Sequence, residues 1–193
     1  MIARPSAGRP AVFLDRDGTI IEDVGYLTQP SQIVTFPWTV DAVRALNHAG
    51  FPVVVITNQS GIARGLLTEA VVHETHRRLS SMLEAGGAHI DAYYYCPHHP
   101  DGPSPAYTRR CECRKPGRAL VDQAAADLHL DPARSFVVGD KWLDVGLARS
   151  IGARGVLVRT GYGAGAEKQP QPGLAADAVV DNLVEAVNWI FRC

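Results

Sequence analysis

Asp15 and Asp17 stand two residues apart in Phe13-Leu14-Asp15-Arg16-Asp17-Gly18-Thr19. They follow an apolar run that reads as a strand, so both carboxylates can point to one side of its end. Close carboxylates repel, and a divalent cation offsets that repulsion. Hard oxygen ligands suit Mg²⁺. The plainer reading is two loop acids capping a helix, and an apolar strand running straight into Asp-x-Asp-Gly-Thr argues against it. Thr57-Asn58-Gln59-Ser60-Gly61 offers a hydroxyl, amides and backbone N–H groups that can hold phosphoryl oxygens. The same residues are also good turn chemistry. Arg114-Lys115 sets a two-handed guanidinium beside a compact ammonium, which fits a phosphate or else a solvated basic pair. Gly139-Asp140-Lys141, followed by Asp144, supplies a third acid for an oxygen site, or a helix N-cap at Asp140.

A second cluster is of softer donors. Cys96-x-His98 and Cys111-x-Cys113 bring four ligands with 12 residues between the pairs. Three cysteines and a histidine suit tetrahedral Zn²⁺ of the structural kind, with no open position for water. Free thiols or a disulfide are the alternatives, and His99 could stand in for His98. The segment from Pro97 to Arg110 holds four prolines and can be neither a helix nor a central strand. Such a segment has little core to hold it, and metal binding supplies folding free energy directly. Cys113 lies two residues before Lys115, so zinc there would fix the loop that presents Arg114 and Lys115. Cys193 has no partner nearby and reads as a free thiol.

The elements that must position these groups follow from the apolar pattern. Short runs at Ala11–Leu14, Pro52–Ile56, Ala92–Tyr95, Ser135–Val138, Gly155–Val158 and Ala178–Val180 are too short for helices and read as buried strands. Between them lie helical spacings. These run through Val40, Val43 and Leu46, through Val72, His76, Leu79 and Leu83 up to Gly86-Gly87, and through the Ala-rich stretch Ala119 to Leu128. Asp144 to Ile151 leads to Gly152. A last helix starts at Asn182 with Glu185 three residues on, and Leu183, Val184, Val187, Ile190 and Phe191 line one face. Strand–helix alternation implies an α/β fold: a three-layer, Rossmann-like, mostly parallel sheet with helices on both faces. The four candidate groups then sit at the carboxyl ends of strands, where such sheets bind ligands. Tyr162 to Gly173 reads as a mobile loop.

Composition bounds the function. The 193 residues carry 46% hydrophobic and 20% charged side chains, enough apolar material for one packed domain over 1–193 that includes the zinc loop 96–113. A net charge of −1, from 19 basic and 20 acidic residues, gives no broad footprint for nucleic acid or an anionic membrane. No run reaches the length of a membrane span, and Met1 to Pro10 has no apolar run of the secretory kind, which makes a cytoplasmic location the default. Balanced charge without an extended apolar patch is compatible with a monomer.

Taken in order, the motifs resemble those of the haloacid dehalogenase superfamily of aspartate-dependent phosphatases. They are Phe-Leu-Asp-Arg-Asp-Gly-Thr at 13–19, Thr-Asn-Gln-Ser-Gly-Ile-Ala-Arg-Gly at 57–65, Cys-Pro-His-His-Pro at 96–100, Cys-Glu-Cys-Arg-Lys-Pro at 111–116 and Gly-Asp-Lys at 139–141. Within the superfamily they resemble the group of heptose bisphosphate and histidinol-phosphate phosphatases, over about residues 11–163. The resemblance implies that Asp15 is the nucleophile and forms an aspartyl phosphate. Asp17 would protonate the leaving oxygen and then act as base on water. Mg²⁺ would be held by the Asp15 side chain, the Asp17 main-chain carbonyl and Asp140. Thr57 and Lys115 would bind the transferring phosphoryl group. Asn58, Gln59, Ser60, Arg114 and Lys141 would line the substrate site, with Asp23, Val24, Gly25 and Tyr26 contacting substrate. Zn²⁺ would be bound by Cys96, His98, Cys111 and Cys113, with His98 favoured over His99.

The expected reaction is removal of the C7 phosphate of D-glycero-D-manno-heptose 1,7-bisphosphate, with histidinol phosphate as the alternative substrate. Gly117-Arg118 after Pro116 departs from the Pro-Gly continuation common in the heptose group, which bears on the substrate more than on the reaction. A nucleic-acid 3′-phosphatase ranks lower for want of a basic stripe. A non-catalytic zinc-stabilised module ranks low because Asp15, Asp17, Lys115 and Asp140 are all present. No insertion is long enough for a large cap, so the site should be open. That openness also disfavours a phosphomutase, which must exclude water.

Overall fold

The computed structural model of the protein describes residues 8–193. The reading made on Met1 to Ala7 lies outside the described residues. Six strands form one sheet: β1 (Val12–Leu14), β2 (Val53–Asn58), β3 (Ala92–Cys96), β4 (Phe136–Gly139), β5 (Arg154–Val158) and β6 (Ala178–Val180). Their order is β3-β2-β1-β4-β5-β6 and every pairing is parallel. The helices are α1 (Thr39–His48), α2 (Glu69–Ala85), α3 (Ala119–Leu128), α4 (Trp142–Ile151), α5 (Gly163–Lys168) and α6 (Leu183–Ile190).

The strands are apolar without alternation because both faces are covered. The period of two still sorts their side chains. Val12, Leu14, Val53, Val55, Phe136 and Val138 face one side, against Val43 and Leu46 of α1, Leu79 and Leu83 of α2, and Leu183, Val187 and Ile190 of α6. Phe13, Val54, Ile56 and Val137 face the other, against Leu120, Val121 and Ala124 of α3 and Leu147, Ala148 and Ile151 of α4. Each such side chain, fully buried, contributes about 1.5–3 kcal/mol. The result is the three-layer α/β architecture read from the pattern.

Local signals set the helix ends. The Thr68 side chain accepts from the Val71 N–H at α2, and Asn182 accepts from the Glu185 N–H at α6. Gly152 closes α4 with a φ of 74°. Two readings need correction. Tyr162 to Gly173 is not all loop, for it carries α5. The Trp142 indole N–H lies 2.9 Å from the Ala166 carbonyl and 3.0 Å from that of Gln169, which holds a Gly/Ala-rich stretch that has no apolar stripe of its own. Trp142 therefore braces α5. Phe191 lies beyond α6 and is 47% exposed, so Ala186, not Phe191, joins the buried face.

Strand order reverses between β1 and β4, since β1 is followed leftward by β2 and rightward by β4. A crevice opens at such a switch point, beyond the carboxyl ends of the strands. Asp15 follows β1 directly, and Asp140 follows β4 directly. Residues 16–52, between Asp15 and β2, hold only a 3-10 turn and α1, so no cap domain stands over this edge.

Candidate active site and metal centre

A cleft of about 320 Å³ lies over the switch point. Its lining includes Asp15, Asp17, Asp23, Gly25, Tyr26, Thr57, Asn58, Gln59, Ser60, Arg114, Lys115 and Lys141, almost the whole set expected from sequence. Val24 is outside that lining and half exposed. Asp140 lies beneath the cleft and is fully buried. Leu27, Leu67, Leu143, Asp144 and Tyr162 also line it and were not among the expected site residues.

Charge is concentrated at the floor. The buried Lys115 ammonium lies 2.8 Å from Asp15 Oδ1 and 2.6 Å from Asp144 Oδ1, and it donates to the Ile56 carbonyl at 2.8 Å. Burial alone would lower the basicity of Lys115, but Asp144 and Asp15 together raise it, so it stays charged. Burial would likewise raise Asp15. The ammonium groups of Lys115 and Lys141 and the Arg16 N–H, 2.7 Å from Oδ1, outweigh it and hold the carboxyl below its usual range. Asp15 is thus an ionised carboxylate aimed into the cleft, as a nucleophile must be. Asn58 grips the backbone of Lys115: the Lys115 N–H donates to Asn58 Oδ1 at 3.0 Å, and Asn58 Nδ2 lies 3.4 Å from the Lys115 carbonyl. At the opposite wall Lys141 Nζ bridges Asp23 at 3.2 Å and Asp140 at 3.1 Å, with the Tyr162 ring 4.7 Å away.

The donor set fits a hard divalent cation. Asp15, Asp140 and Asp144 each bring a carboxylate oxygen within 4.8 Å of the others. All three are paired with an ammonium here, Asp144 and Asp15 with Lys115 and Asp140 with Lys141. Burial, then the neighbouring Asp15, push Asp140 up to about 7. The backbone is shaped around that carboxylate. A Cβ on Gly18 would stand 2.2 Å from Asp140 Oδ2, and one on Gly161 would stand 2.3 Å from it. Both glycines also have positive φ, 82° and 55°.

The second cluster forms as well. The Sγ atoms of Cys96, Cys111 and Cys113 lie 3.2–3.5 Å apart, and His98 Nδ1 is 3.2 Å from Cys113 and 3.8 Å from Cys96. Tetrahedral zinc with Zn–S near 2.3 Å sets sulfurs about 3.8 Å apart, so these donors need only a slight expansion. His98 lies with the three cysteines, whereas His99 points elsewhere, accepting from the Asp101 N–H through Nδ1 at 3.0 Å. Arg109 Nη2 lies 2.7 Å from His98 Nε2. Were a metal held through Nδ1, the proton would sit on Nε2, which could not then accept from Arg109. The loop is tied to α2 by Glu69, which accepts from the hydroxyls of Tyr95 and Tyr107 at 2.7 Å each.

Comparison with known proteins agrees with this geometry. Residues 11–144 match the family described as polynucleotide kinase 3 phosphatase, and residues 112–186 match the family described as HAD-hydrolase-like. A D-glycero-beta-D-manno-heptose-1,7-bisphosphate 7-phosphatase from Yersinia pestis is 42% identical over 178 residues, 91% of this chain and 92% of its own. This chain belongs to the haloacid dehalogenase-like phosphatases. A second phosphatase of the family, the D-glycero-D-manno-heptose-1,7-bisphosphate 7-phosphatase of Thermosynechococcus vestitus, is also 42% identical, over 94% of this chain and 95% of its own. Among solved structures, the D,D-heptose 1,7-bisphosphate phosphatase of B. bronchiseptica, complexed with magnesium and phosphate, superposes with a TM-score of 0.83 at 31% identity, covering 95% of this chain and 98% of that one. The enzyme of the same name from Burkholderia thailandensis gives 0.70 at 30%, covering 96% and 100%.

Two charged residues of this phosphatase site, Asp144 and Arg16, escaped the sequence reading. Asp144 was named only as an acid after Gly-Asp-Lys; its place in the first turn of α4, one turn past Asp140, was the available signal. Arg16 was passed over as the residue between two acids, although a cation directly after a buried strand must find a partner.

Proposed function

We propose that this phosphatase removes the C7 phosphate of D-glycero-D-manno-heptose 1,7-bisphosphate through an aspartyl phosphate on Asp15, with magnesium. The carrying observation is the ionised Asp15 at the switch point, 2.8 Å from the Lys115 ammonium and beside Asp140. The substrate is inferred from the names of the relatives.

In the first half-reaction an Asp15 oxygen forms a bond to phosphorus as the ester P–O bond breaks, and Asp17 gives a proton to the departing sugar oxygen. In the second, Asp17 takes a proton from water, the water oxygen bonds to phosphorus, and phosphate leaves with Asp15 restored. Thr57 and Lys115 hold the phosphoryl oxygens, where fixed charge acts on the transition state. Bound magnesium, on Asp15, Asp140 and the Asp17 carbonyl, would supply the charge neutralisation that lets a carboxylate approach a phosphate. Asn58 acts mainly through the Lys115 backbone, while Gln59, Ser60, Arg114 and Lys141 face the sugar together with Asp23, Gly25 and Tyr26. Zinc on Cys96, His98, Cys111 and Cys113 would hold the Arg114–Lys115 loop in place.

Residues 1–193 are read as one catalytic unit, supported by the single sheet from β1 to β6. A cytoplasmic monomer is the accompanying reading; no helix among the described residues is long and apolar enough to cross a membrane. The test is phosphate release, with Mg²⁺, from both anomers of the heptose bisphosphate, from histidinol phosphate and from a 3′-phosphorylated oligonucleotide, with Asp15→Asn as the blank. Preference in kcat/KM for one heptose anomer supports the proposal. Preference for either other substrate overturns the substrate assignment. Equal release by Asp15→Asn overturns the mechanism.

A further inference from the structure

We propose that Arg16 is the positioning residue for Asp17: with the Gln59 amide it fixes the rotamer of the Asp17 carboxyl group, which passes its proton to the leaving oxygen and becomes a carboxylate, and His76 in turn fixes Arg16. The inference rests on the reading of Asp17 as the acid.

Arg16 is 2% exposed and does not line the cleft. Its donors are all spent behind Asp17. Nη2 lies 2.9 Å from each Asp17 oxygen and Nε lies 3.2 Å from Oδ1. Nη2 also donates to Gln59 Oε1 at 3.1 Å, and Nη1 faces His76 Nε2 at 3.4 Å. Gln59 closes the circle, since its Nε2 donates to Asp17 Oδ2 at 3.0 Å and to Thr57 Oγ1 at 2.9 Å. A guanidinium fork fixes a carboxylate's plane as well as its position, which a point charge does not.

His76 is the support behind the fork. It stacks on Tyr93 with ring centroids 4.5 Å apart and planes 17° from parallel, and Tyr93 is anchored at Ser80 by a 3.0 Å hydrogen bond. Burial, then the Arg16 charge, push His76 down to about 3, so it stays a neutral acceptor for Nη1. The chain of contacts therefore runs from the His76–Tyr93 stack between α2 and β3 through Arg16 to the proton donor. It matters because proton transfer needs the donor within hydrogen-bond reach of the leaving oxygen.

A merely structural arginine and a positioning one differ in their dependence on the leaving group. A sugar alkoxide needs the proton, whereas p-nitrophenolate leaves without it. The experiment compares kcat/KM for the heptose bisphosphate and for p-nitrophenyl phosphate in wild type, Arg16→Lys, His76→Phe and Asp17→Asn, with thermal melting of each. kcat/KM reports the steps up to phosphoryl transfer and so isolates the acid step. Arg16→Lys should lose roughly tenfold or more on the sugar, and less than about threefold on the aryl ester, within the range a general acid supplies. His76→Phe keeps the stack on Tyr93, removes the acceptor, and should shift the ratio the same way by about threefold. It carries the test alone should Arg16→Lys not fold. Equal losses on both substrates, or none, in a folded variant overturn the proposal while Asp17→Asn remains selective. An Asp17→Asn variant that loses equally on both substrates overturns the acid reading beneath it, and this proposal with it.

Discussion

Lys115 sets one ammonium between two buried carboxylates, so its removal leaves Asp15 and Asp144 facing each other with no cation at hand. Lys115→Met should lower kcat/KM by about 10²–10³ or more and should cost about 3–5 kcal/mol of stability, the range for a broken buried pair. Phosphate-release kinetics and urea unfolding check the two effects separately. Lys115→Arg should not rescue activity, because a planar fork does not fit where a point charge serves three acceptors. Asp140 gives a second residue-scale expectation. Without metal its carboxyl titrates near 7 rather than 3.8, so the folded protein holds a proton that the unfolded chain has released. That contribution is present at acid pH and is lost as pH rises through 7. Mg²⁺ replaces the proton, so it should raise Tm by a few degrees more at pH 8 than at pH 5. Equal increments at both pH values would contradict the account of Asp140 as a buried, protonated carboxyl. Asp144 and Arg16 were hard to read from sequence for one physical reason. Each is a buried charge, Asp144 paired with the distant Lys115 and Arg16 with the adjacent Asp17, and a row of charged letters reads the same whether the pair is buried or solvated.

The zinc loop is the element whose stability depends least on packing. Between Pro97 and Arg110 the described structure has an isolated bridge, His99 with Thr108, and its links to the rest of the molecule are the four metal donors, the Glu69 clasp, the Ser104 N–H on the Ala63 carbonyl and the packing of Tyr107 against Ile62, Leu67 and Val72. Cys111→Ser should therefore reduce zinc content from about one per chain and lower Tm by roughly 5–10 °C, a loss on the order of 2–4 kcal/mol for a domain of this size. It should also lower activity at saturating Mg²⁺, because Cys113 lies two residues from Lys115. Metal analysis, melting and kinetics on one preparation separate the three. This loop was legible because cysteine and histidine spacing is itself the constraint. All six strands were legible too, since two covered faces demand unbroken apolar runs. Helix α5 was not: Gly163-Ala164-Gly165-Ala166 has no apolar stripe, and the Trp142 hydrogen bonds that hold it come from another element.

For the molecule as a whole, the sheet order places the site at the β1/β4 switch point, while α2 seals one face of the sheet behind it. The α2 stripe Val72, His76, Leu79 and Leu83 is buried throughout, so a titratable ring sits where a core residue would. Burial and the Arg16 charge lower His76 from 6.5 to about 3. The unfolded chain therefore binds a proton that the folded protein refuses between those values. The sign follows: His76 contributes stability fully above pH 6.5, and the contribution is lost as pH falls toward 3. The slope for one proton is about 1.4 kcal/mol per pH unit. Asp140 works in the opposite sense in the metal-free protein, so the two must be separated. In an Asp140→Asn background, urea-unfolding free energies measured from pH 7 down to pH 4.5 should fall with His76 present. They should be markedly flatter with His76→Gln, which keeps an acceptor for Arg16 but cannot titrate in this range. If the two curves run parallel, His76 does not govern acid stability and another buried group must. If they diverge as expected, the histidine behind the fork couples the integrity of the α2 face to that of the catalytic edge, and acid should disorder Asp17's support before it unfolds the sheet.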